Sequence, residues 1–154
     1  MRILFVCLGN ICRSPTAEAV MRDLTVKAGL ADEITVDSAG TGDWHIGYPP
    51  DSRAVEAGAK RGLTVSGTAR QIAPSDFENF DLIVAMDRSN HADLIELAGK
   101  EDPRIRLLRE FGPDDELDVP DPYFGGEDGF DEVISLIDRH CRVLLENVSP
   151  GVQP

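Results

Sequence analysis

Residues 2–15 read RILFVCLGNICRSP and contain, in order, a short apolar run, a loop and the start of a helix. Residues 2–6 show no alternation of polar and apolar side chains, which is typical of a strand buried on both faces of a parallel sheet. Ser14 is the predicted N-cap of the helix, and Pro15 is its predicted first residue. Apolar residues then recur at helical spacing as far as Ala28, and Gly29 ends the helix.

The rest of the chain repeats this alternation of strand and helix. Further strands are predicted at residues 34–38, 82–86 and 105–108, helices at 51–61, 77–80, 89–98 and 130–148, and long loops at 39–50 and 112–129. Strands that alternate with helices pair in parallel and carry helices on both faces. We expect a single-domain, three-layer α/β fold of the flavodoxin-like type, with a four-stranded parallel sheet in the order 2-1-3-4. Residues 1–154 form that domain, with a frayed tail at 149–154.

The chain is strongly acidic: 28 Asp and Glu against 15 Lys and Arg give a formal net charge of −13. This charge argues against nucleic acid and against anionic membranes as partners. The apolar run at residues 3–8 is too short for a membrane span and lacks a signal-peptide cleavage site, so we expect a cytoplasmic protein. The cysteines number 3, which does not fit a disulfide framework.

Residues 7–14, here named the cradle loop, carry a cysteine and an arginine between a strand and a helix. Such a loop can surround one tetrahedral oxyanion, because its N–H groups and the positive end of the helix point to the same place. Cys7 is a nucleophile only when ionised, and the helix, Arg13 and a hydrogen bond from Ser14 favour the thiolate. The planar Arg13 guanidinium can hold two phosphoryl oxygens at once.

Two further residues are predicted to shape the cradle loop. Gly9 permits backbone conformations in which a Cβ would clash, so that the loop can turn its amides inward. Asn10 is expected to form hydrogen bonds across the loop. The loop as a whole predicts an enzyme that transfers a phosphoryl group to cysteine.

Residues 5–15, FVCLGNICRSP, resemble the signature of the low molecular weight protein tyrosine phosphatases. The resemblance extends over essentially the whole chain, through residues 37–41, Trp44 and residues 50–53, 69–71, 86–87 and 121–123. It implies a phosphotyrosine protein phosphatase that hydrolyses aryl phosphate monoesters through a cysteinyl-phosphate intermediate. Such an enzyme releases inorganic phosphate and uses neither metal nor cofactor.

The resemblance also implies roles for individual residues. Cys7 is the expected nucleophile, Arg13 binds the phosphate, and Asp121 acts first as general acid and then as general base. Pro120 and Pro122 favour an extended backbone that presents the carboxyl group of Asp121. The competing interpretation of Asp121 is a solvated turn residue, as for other acidic residues nearby.

The remaining predicted site residues bind the phosphate or surround the substrate ring. They are Leu8, Gly9, Asn10, Ile11, Cys12, Ser14, Trp44 and Tyr123. In the resembled family a cysteine pair protects the nucleophile from over-oxidation, which implies this role for Cys12. The alternative for Cys12 is a small buried residue. Cys141 lies on the apolar stripe of the last helix and is predicted to belong to the core.

The chain matches the family pattern only partly at three places. Phe124 stands where the family often has a second tyrosine, and residues 66–68 stand where it often has a histidine that supports the cradle loop. Asp87 is predicted either to lie behind the cradle loop or to cap the next helix. Arg53 and Arg70 are predicted to form structural ion pairs.

Other functions compete with this one. An arsenate reductase shares the fold and loop type but needs further cysteines after the third strand, and residues 80–99 contain none. A non-catalytic module that binds phospho-residues has no use for the proton donor Asp121. A nucleotide-binding protein is disfavoured because the loop lacks the Gly-x4-Gly-Lys spacing. The choice between phosphotyrosine and phosphoarginine proteins as substrates stays open, and we expect a monomer or a weak dimer.

Overall fold

The strands form one sheet in which every pairing is parallel. The computed structural model describes residues 1–112, 115–123, 125 and 127–149. The strands are β1 (Arg2–Cys7), β2 (Thr35–Gly40), β3 (Leu82–Ala85) and β4 (Ile105–Leu107). They are ordered β2-β1-β3-β4, which confirms the predicted order. The winding reverses at β1, so the carboxyl end of this strand opens into a crevice.

Helices follow the strands in the expected alternation. They are α1 (Arg13–Lys27), α2 (Ser52–Ala59), α3 (Asp76–Asn79), α4 (Arg88–Ala98) and α5 (Glu127–Val148), and a 3-10 turn, Leu108–Phe111, follows β4. Helix α5 begins at Glu127 rather than at residue 130. No helix in the described parts of the chain combines the length and the apolarity that crossing a bilayer requires.

The two faces of β1 belong to two separate halves of the core. Ile3 and Phe5 pack in the half that contains α1 and α5, whereas Leu4 and Val6 pack in the half that contains Leu94 of α4. All four strand residues are fully buried. Alternation along a strand that is apolar on both sides therefore produces the three-layer arrangement.

The apolar stripe of α5 is buried as predicted. Its buried members are Phe130, Val133, Ile134, Ile137, Cys141 and Leu144. Ser149 continues the hydrogen bonding of the helix, since its N–H donates to the Leu145 carbonyl at 2.9 Å. Phe124 and the rest of the expected tail, residues 150–154, lie outside the described residues.

The predicted start of α1 is wrong. The N-cap is Cys12, and Ser14 and Pro15 both lie inside the first turn. The Ser14 hydroxyl does not cap the helix because it contacts the Cys7 sulfur at 3.0 Å. Pro15 is tolerated there because the first N–H groups of a helix have no intrahelical partner.

Helix α4 begins at Arg88, one residue before its predicted start. Its N-cap is Asp87, whose Oδ1 accepts a hydrogen bond from the Asn90 N–H at 2.7 Å. One of the two roles predicted for Asp87 is thereby confirmed.

Candidate active site

The cradle loop begins at the carboxyl end of β1 and is held there by the segment after β2. The Thr41 N–H donates to the Cys7 carbonyl at 2.9 Å, and the Gly42 N–H donates to the Leu8 carbonyl at 2.9 Å. Gly40 must lack a side chain, because a Cβ would lie 2.7 Å from the Leu8 carbonyl oxygen. The first part of the cradle loop is therefore fixed as an extension of the sheet.

The Cys7 sulfur lies buried at the floor of the cradle loop, beside two hydrogen-bonding groups. The Asn10 N–H donates to Sγ at 3.3 Å, and the Ser14 Oγ lies 3.0 Å from Sγ. The Asn10 side-chain amide already donates to Ser14 Oγ at 2.8 Å. The hydroxyl proton of Ser14 is therefore free to point at the sulfur, since its other acceptor, the Ala39 carbonyl, is 3.4 Å away.

Asn10 connects the cradle loop to its surroundings through both ends of its amide. Its Nδ2 donates to Ser38 Oγ at 3.0 Å, and its Oδ1 accepts from the Arg70 N–H at 3.0 Å. The predicted hydrogen bonding across the loop is thus confirmed. Ser38 Oγ donates in turn to Glu18 Oε1 at 2.7 Å. These groups support the loop in a chain that has no histidine at residues 66–68.

The conformational freedom that the sequence analysis assigned to Gly9 is used at Asn10 instead. Asn10 has a φ of 57°, in the left-handed region, whereas Gly9 does not have a positive φ. At Gly9 the lack of a side chain leaves room for the ring of His45, which would lie 2.8 Å from a Cβ.

Backbone N–H groups of the cradle loop are available to an anion. Within the described part of the chain, the N–H groups of Gly9, Ile11 and Cys12 donate to no acceptor. Those of Arg13 and Ser14 belong to the first turn of α1, where helical acceptors are lacking. A concave loop with unpaired donors at a helix N-terminus can bind an oxyanion.

Arg13 is buried beside the loop and is held by two fixed acceptors. Its Nη1 donates to Asp87 Oδ2 at 2.6 Å and to the Val119 carbonyl at 3.0 Å. Burial by itself would lower the pKa of Arg13, but the Cys7 sulfur, Asp87 and Asp121 outweigh it and raise the pKa above its usual value. Arg13 is therefore a permanent cation. Asp87 holds both the guanidinium and the first turn of α4, so both roles predicted for it are confirmed.

Asp121 lies at the mouth of the same pocket. Its Oδ2 is 3.7 Å from Arg13 Nη2, and its Oδ1 accepts a hydrogen bond from the Tyr123 N–H at 3.0 Å. The side chain is 38% exposed, so it can exchange protons with water. One carboxyl oxygen thus faces Arg13 of the cradle loop, while the other closes a turn with the Tyr123 N–H.

A pocket of about 200 Å³ opens above the sulfur. Of the predicted site residues, those that line it are Cys7, Leu8, Gly9, Ile11, Cys12, Arg13, Trp44, Asp121 and Tyr123. Asn10 and Ser14 are not among them: their side chains are buried behind the cradle loop. The structure therefore brings together in one pocket the predicted cation Arg13, the predicted acid Asp121 and the residues predicted to surround the substrate ring.

The walls of the pocket are aromatic and largely exposed at its rim. Trp44 is 66% exposed and Tyr123 is 38% exposed. His45, which the sequence analysis did not assign to the site, also lines the pocket, and its ring centroid is 6.2 Å from that of Tyr123. No pattern in the sequence marks His45 as a residue of the site. Its position in the pocket is seen only in the fold, where its ring packs against Gly9.

Cys12 shares the pocket with Cys7 but has a different environment. Burial, together with the negative charges of Asp51, Cys7 and Asp121, raises the pKa of Cys12 to about 12. The thiol is therefore neutral at physiological pH. All three cysteines, including Cys141, are free thiols.

Arg53 joins the two loops on either side of the pocket. Its Nη2 donates to Asp51 Oδ2 at 2.9 Å and to the Tyr123 carbonyl at 3.0 Å, and the Asp51 N–H donates to the Ile11 carbonyl at 2.8 Å. Residues 121–123 are here named the Asp121 segment. The ion pair between Arg53 and Asp51 thus connects this segment to the cradle loop. The predicted ion-pair roles of Arg53 and of Arg70, which pairs with Asp37 and Asp76, are confirmed.

Comparisons with known proteins find relatives that match nearly the whole chain. The family model described as low molecular weight phosphotyrosine protein phosphatase matches residues 2–153. The low molecular weight protein-tyrosine-phosphatase YfkJ of Bacillus subtilis is 47% identical over 154 residues, covering 98% of this chain and 97% of its own.

Solved structures of phosphatases also match this chain. A protein tyrosine phosphatase from Entamoeba histolytica has a TM-score of 0.93 at 40% identity, and covers 99% of both chains. DARP, an arginine phosphatase of Drosophila, has a TM-score of 0.89 at 37% identity and covers 97% of this chain and 98% of its own. On these matches, and on the geometry of the cradle loop, the chain belongs to the low molecular weight phosphotyrosine protein phosphatase family.

Proposed function

We propose that this protein hydrolyses phosphotyrosine in proteins through a cysteinyl-phosphate intermediate formed on Cys7. The observation that supports this most directly is the pocket of about 200 Å³ that is lined at once by Cys7, Arg13 and Asp121. A nucleophile, a fixed cation and an exposed carboxyl group within one pocket are the groups that the reaction requires.

In the first step, the Cys7 sulfur attacks phosphorus as a thiolate, in line with the bond to the phenolic oxygen. The S–P bond forms as the P–O bond breaks, and Asp121 donates its proton to the departing oxygen. The Arg13 guanidinium and the unpaired N–H groups of the cradle loop bind the three equatorial oxygens. The tyrosine leaves neutral, and Asp121 is left as a carboxylate.

In the second step, water replaces the tyrosine at the mouth of the pocket. The Asp121 carboxylate takes a proton from this water as it attacks phosphorus, and the S–P bond breaks. Cys7 is released as a thiolate and inorganic phosphate leaves. Every proton is accounted for by Asp121, so the described residues complete the cycle.

Aryl phosphates suit this pocket better than phosphoarginine does. Ile11, Trp44 and Tyr123 present flat or apolar walls that favour a phenyl ring. The guanidinium part of phosphoarginine carries N–H donors, and the walls formed by Leu8, Ile11 and Trp44 offer them no acceptor, which leaves Asp121 and His45 to receive them. DARP shares the fold, so the choice needs measurement. Turnover of matched phosphotyrosine, phosphoserine and phosphoarginine peptides in competition is expected to favour phosphotyrosine; preference for phosphoarginine would contradict the assignment.

The roles of Cys7 and Asp121 are separable by experiment. We expect Cys7→Ser to abolish turnover and Asp121→Asn to lower kcat by about a hundredfold or more. Asp121→Asn should still form some intermediate with para-nitrophenyl phosphate, whose leaving group needs little protonation, and rapid quenching would detect it on Cys7. Substantial activity in Cys7→Ser would show that the nucleophile is misassigned.

Cys12 is proposed to protect Cys7 from over-oxidation. Peroxide oxidises the Cys7 thiolate to a sulfenic acid, and the neutral Cys12 thiol condenses with it to give a disulfide and water. Added dithiol should then restore activity in the parent protein. Cys12→Ser should recover less activity after the same treatment; equal recovery would leave Cys12 as a small buried residue.

Arsenate reduction is the rival activity of the same fold. It needs a relay of thiols, and the only cysteine beyond the pocket, Cys141, is fully buried in the core. We expect no thiol-dependent arsenate reduction in a coupled assay.

The free thiols and the need for a reduced Cys7 favour a cytoplasmic enzyme. We propose that it acts as a monomer or weak dimer, which light scattering would test.

A further inference from the structure

A second concavity adjoins the catalytic pocket. It is a groove of about 700 Å³ that runs between the segment after β2 and the exposed face of α4. The catalytic pocket, at about 200 Å³, holds little more than one phosphorylated side chain. The rest of a protein substrate must therefore lie outside it, and the groove is available beside it.

The groove and the pocket share two walls. Leu8 and Trp44 line both cavities. Leu8 follows Cys7 directly in the chain, so the groove opens beside the place above Cys7 and is within reach of the residues that flank a phosphotyrosine bound there. The Trp44 ring is packed against the backbone of Gly42, where any Cβ would lie 1.9 Å from the ring, so the shared wall depends on glycine at this position.

The far side of the groove combines apolar and acidic groups. Asp93, Glu96 and Leu97 lie at helical spacing on one face of α4, and all three side chains are exposed. Leu97 is 44% exposed and continues the apolar surface of Leu8, which is 41% exposed. Within the residues that the structure describes, neither Asp93 nor Glu96 pairs with a cation.

From this arrangement we infer that the groove binds the substrate segment next to the phosphotyrosine, and that it selects segments with basic side chains beside an apolar one. The inference rests on the proposed function and names the substrate class within it. Leu8, Trp44 and Leu97 contact the apolar residue, while Asp93 and Glu96 attract the lysine or arginine. The occupant is a peptide segment of a protein, because the groove opens directly from the catalytic pocket.

The test compares phosphotyrosine peptides that differ in two flanking residues, Lys-Lys or Glu-Glu, placed either before or after the phosphotyrosine, with a leucine kept beside them. Each kcat/KM is divided by the same protein's kcat/KM for para-nitrophenyl phosphate, which is too small to reach the groove. We expect the Lys-Lys peptide to exceed the Glu-Glu peptide by about five- to tenfold at low salt on at least one side. The preference should shrink at about 0.5 M salt, because exposed charges are screened.

The double variant Asp93→Asn with Glu96→Gln should lose most of this preference. The matched control, Asp32→Asn with Glu33→Gln, removes the same charge from the exposed loop before β2, at the opposite edge of the sheet, and should keep the preference. Equal rates for the two peptides, or loss of preference in the control, would overturn the inference. Failure of every variant and the parent to hydrolyse any aryl phosphate would instead overturn the proposed function, and the inference with it.

Discussion

Asn10 combines an unusual backbone conformation with a side chain that binds three partners. Its φ of 57° costs a residue with a Cβ about 1–2 kcal/mol, and glycine avoids this cost. Asn10→Gly and Asn10→Ala both remove the side-chain bonds to Ser14, Ser38 and Arg70. We therefore expect both variants to have a lower kcat, with Asn10→Ala less stable to urea than Asn10→Gly by about 1 kcal/mol. Equal stability of the two variants would show that the positive φ at residue 10 carries no such cost.

Cys12 provides a second prediction at the scale of one residue. Its pKa of about 12 predicts that little thiolate forms near neutrality. In a Cys7→Ser variant, which removes the Cys7 charge but keeps the burial that raises this pKa most, alkylation of Cys12 by iodoacetamide should accelerate by about tenfold for each pH unit between pH 7 and 10. A free cysteine would instead level off near pH 8.5. Mass spectrometry of the alkylated peptide measures the rate, and a plateau near pH 8.5 would show that the thiol is accessible to solvent.

The residues of the site divide into those that the sequence could predict and those that it could not. Cys7 and Arg13 were predictable because their chemistry is tied to their spacing in one loop. Ser14 was misassigned as a cap because its hydroxyl has two possible uses, and the fold realises the other predicted one, the contact with Cys7. His45 was missed because a ring packed against Gly9 leaves no local pattern.

At the scale of elements, α4 is coupled to the site through its N-cap. Asp87 accepts the Asn90 N–H with one oxygen and the Arg13 guanidinium with the other. Asparagine caps helices as well as aspartate does, but it carries no charge for Arg13. We expect Asp87→Asn to keep more stability than Asp87→Ala, by about 1 kcal/mol, while both variants have a lower kcat/KM. Retention of full activity in Asp87→Ala would show that Arg13 does not depend on this contact.

The connection between α2 and the Asp121 segment gives a further prediction. Arg53 donates to the carbonyls of Tyr123 and Gly125, and so positions the carboxyl group of Asp121. Arg53→Gln should lower kcat more for phenyl phosphate than for para-nitrophenyl phosphate, because only the poorer leaving group depends on protonation. In an Asp121→Asn background the same change should have little further effect. Additive losses would mean that Arg53 acts on something other than the acid.

Element identity was more predictable than element ends. The four strands were found because each is an apolar run bounded by loop residues, and their parallel pairing followed from the alternation with helices. Their order was assumed from the doubly wound fold type, and the structure confirms it. Helix ends depend on which side chain reaches a free N–H group. Asp87 provides the N-cap of α4 with one carboxyl oxygen, and its other oxygen accepts a hydrogen bond from Arg13, which lies far away in the chain.

For the whole molecule, the buried thiols set a limit on stability at high pH. Burial raises the pKa of Cys141, and burial with nearby negative charge raises that of Cys12 to about 12. In the unfolded chain both ionise near pH 8.5. Their stabilising contribution is therefore complete below pH 8.5 and is lost as the pH rises, because the unfolded state then gives up protons that the folded state retains.

This linkage can be measured as a slope. Each such thiol should lower the free energy of unfolding by about 1.4 kcal/mol per pH unit above pH 8.5. Urea unfolding between pH 9 and 10, with reductant present, should give Cys141→Ala a slope shallower than the parent by about that amount. Val133→Ala, which truncates another buried residue of α5, should lower stability without changing the slope. Because a cavity shifts stability equally at each pH, a parallel slope for Cys141→Ala would mean that this thiol ionises in the folded core.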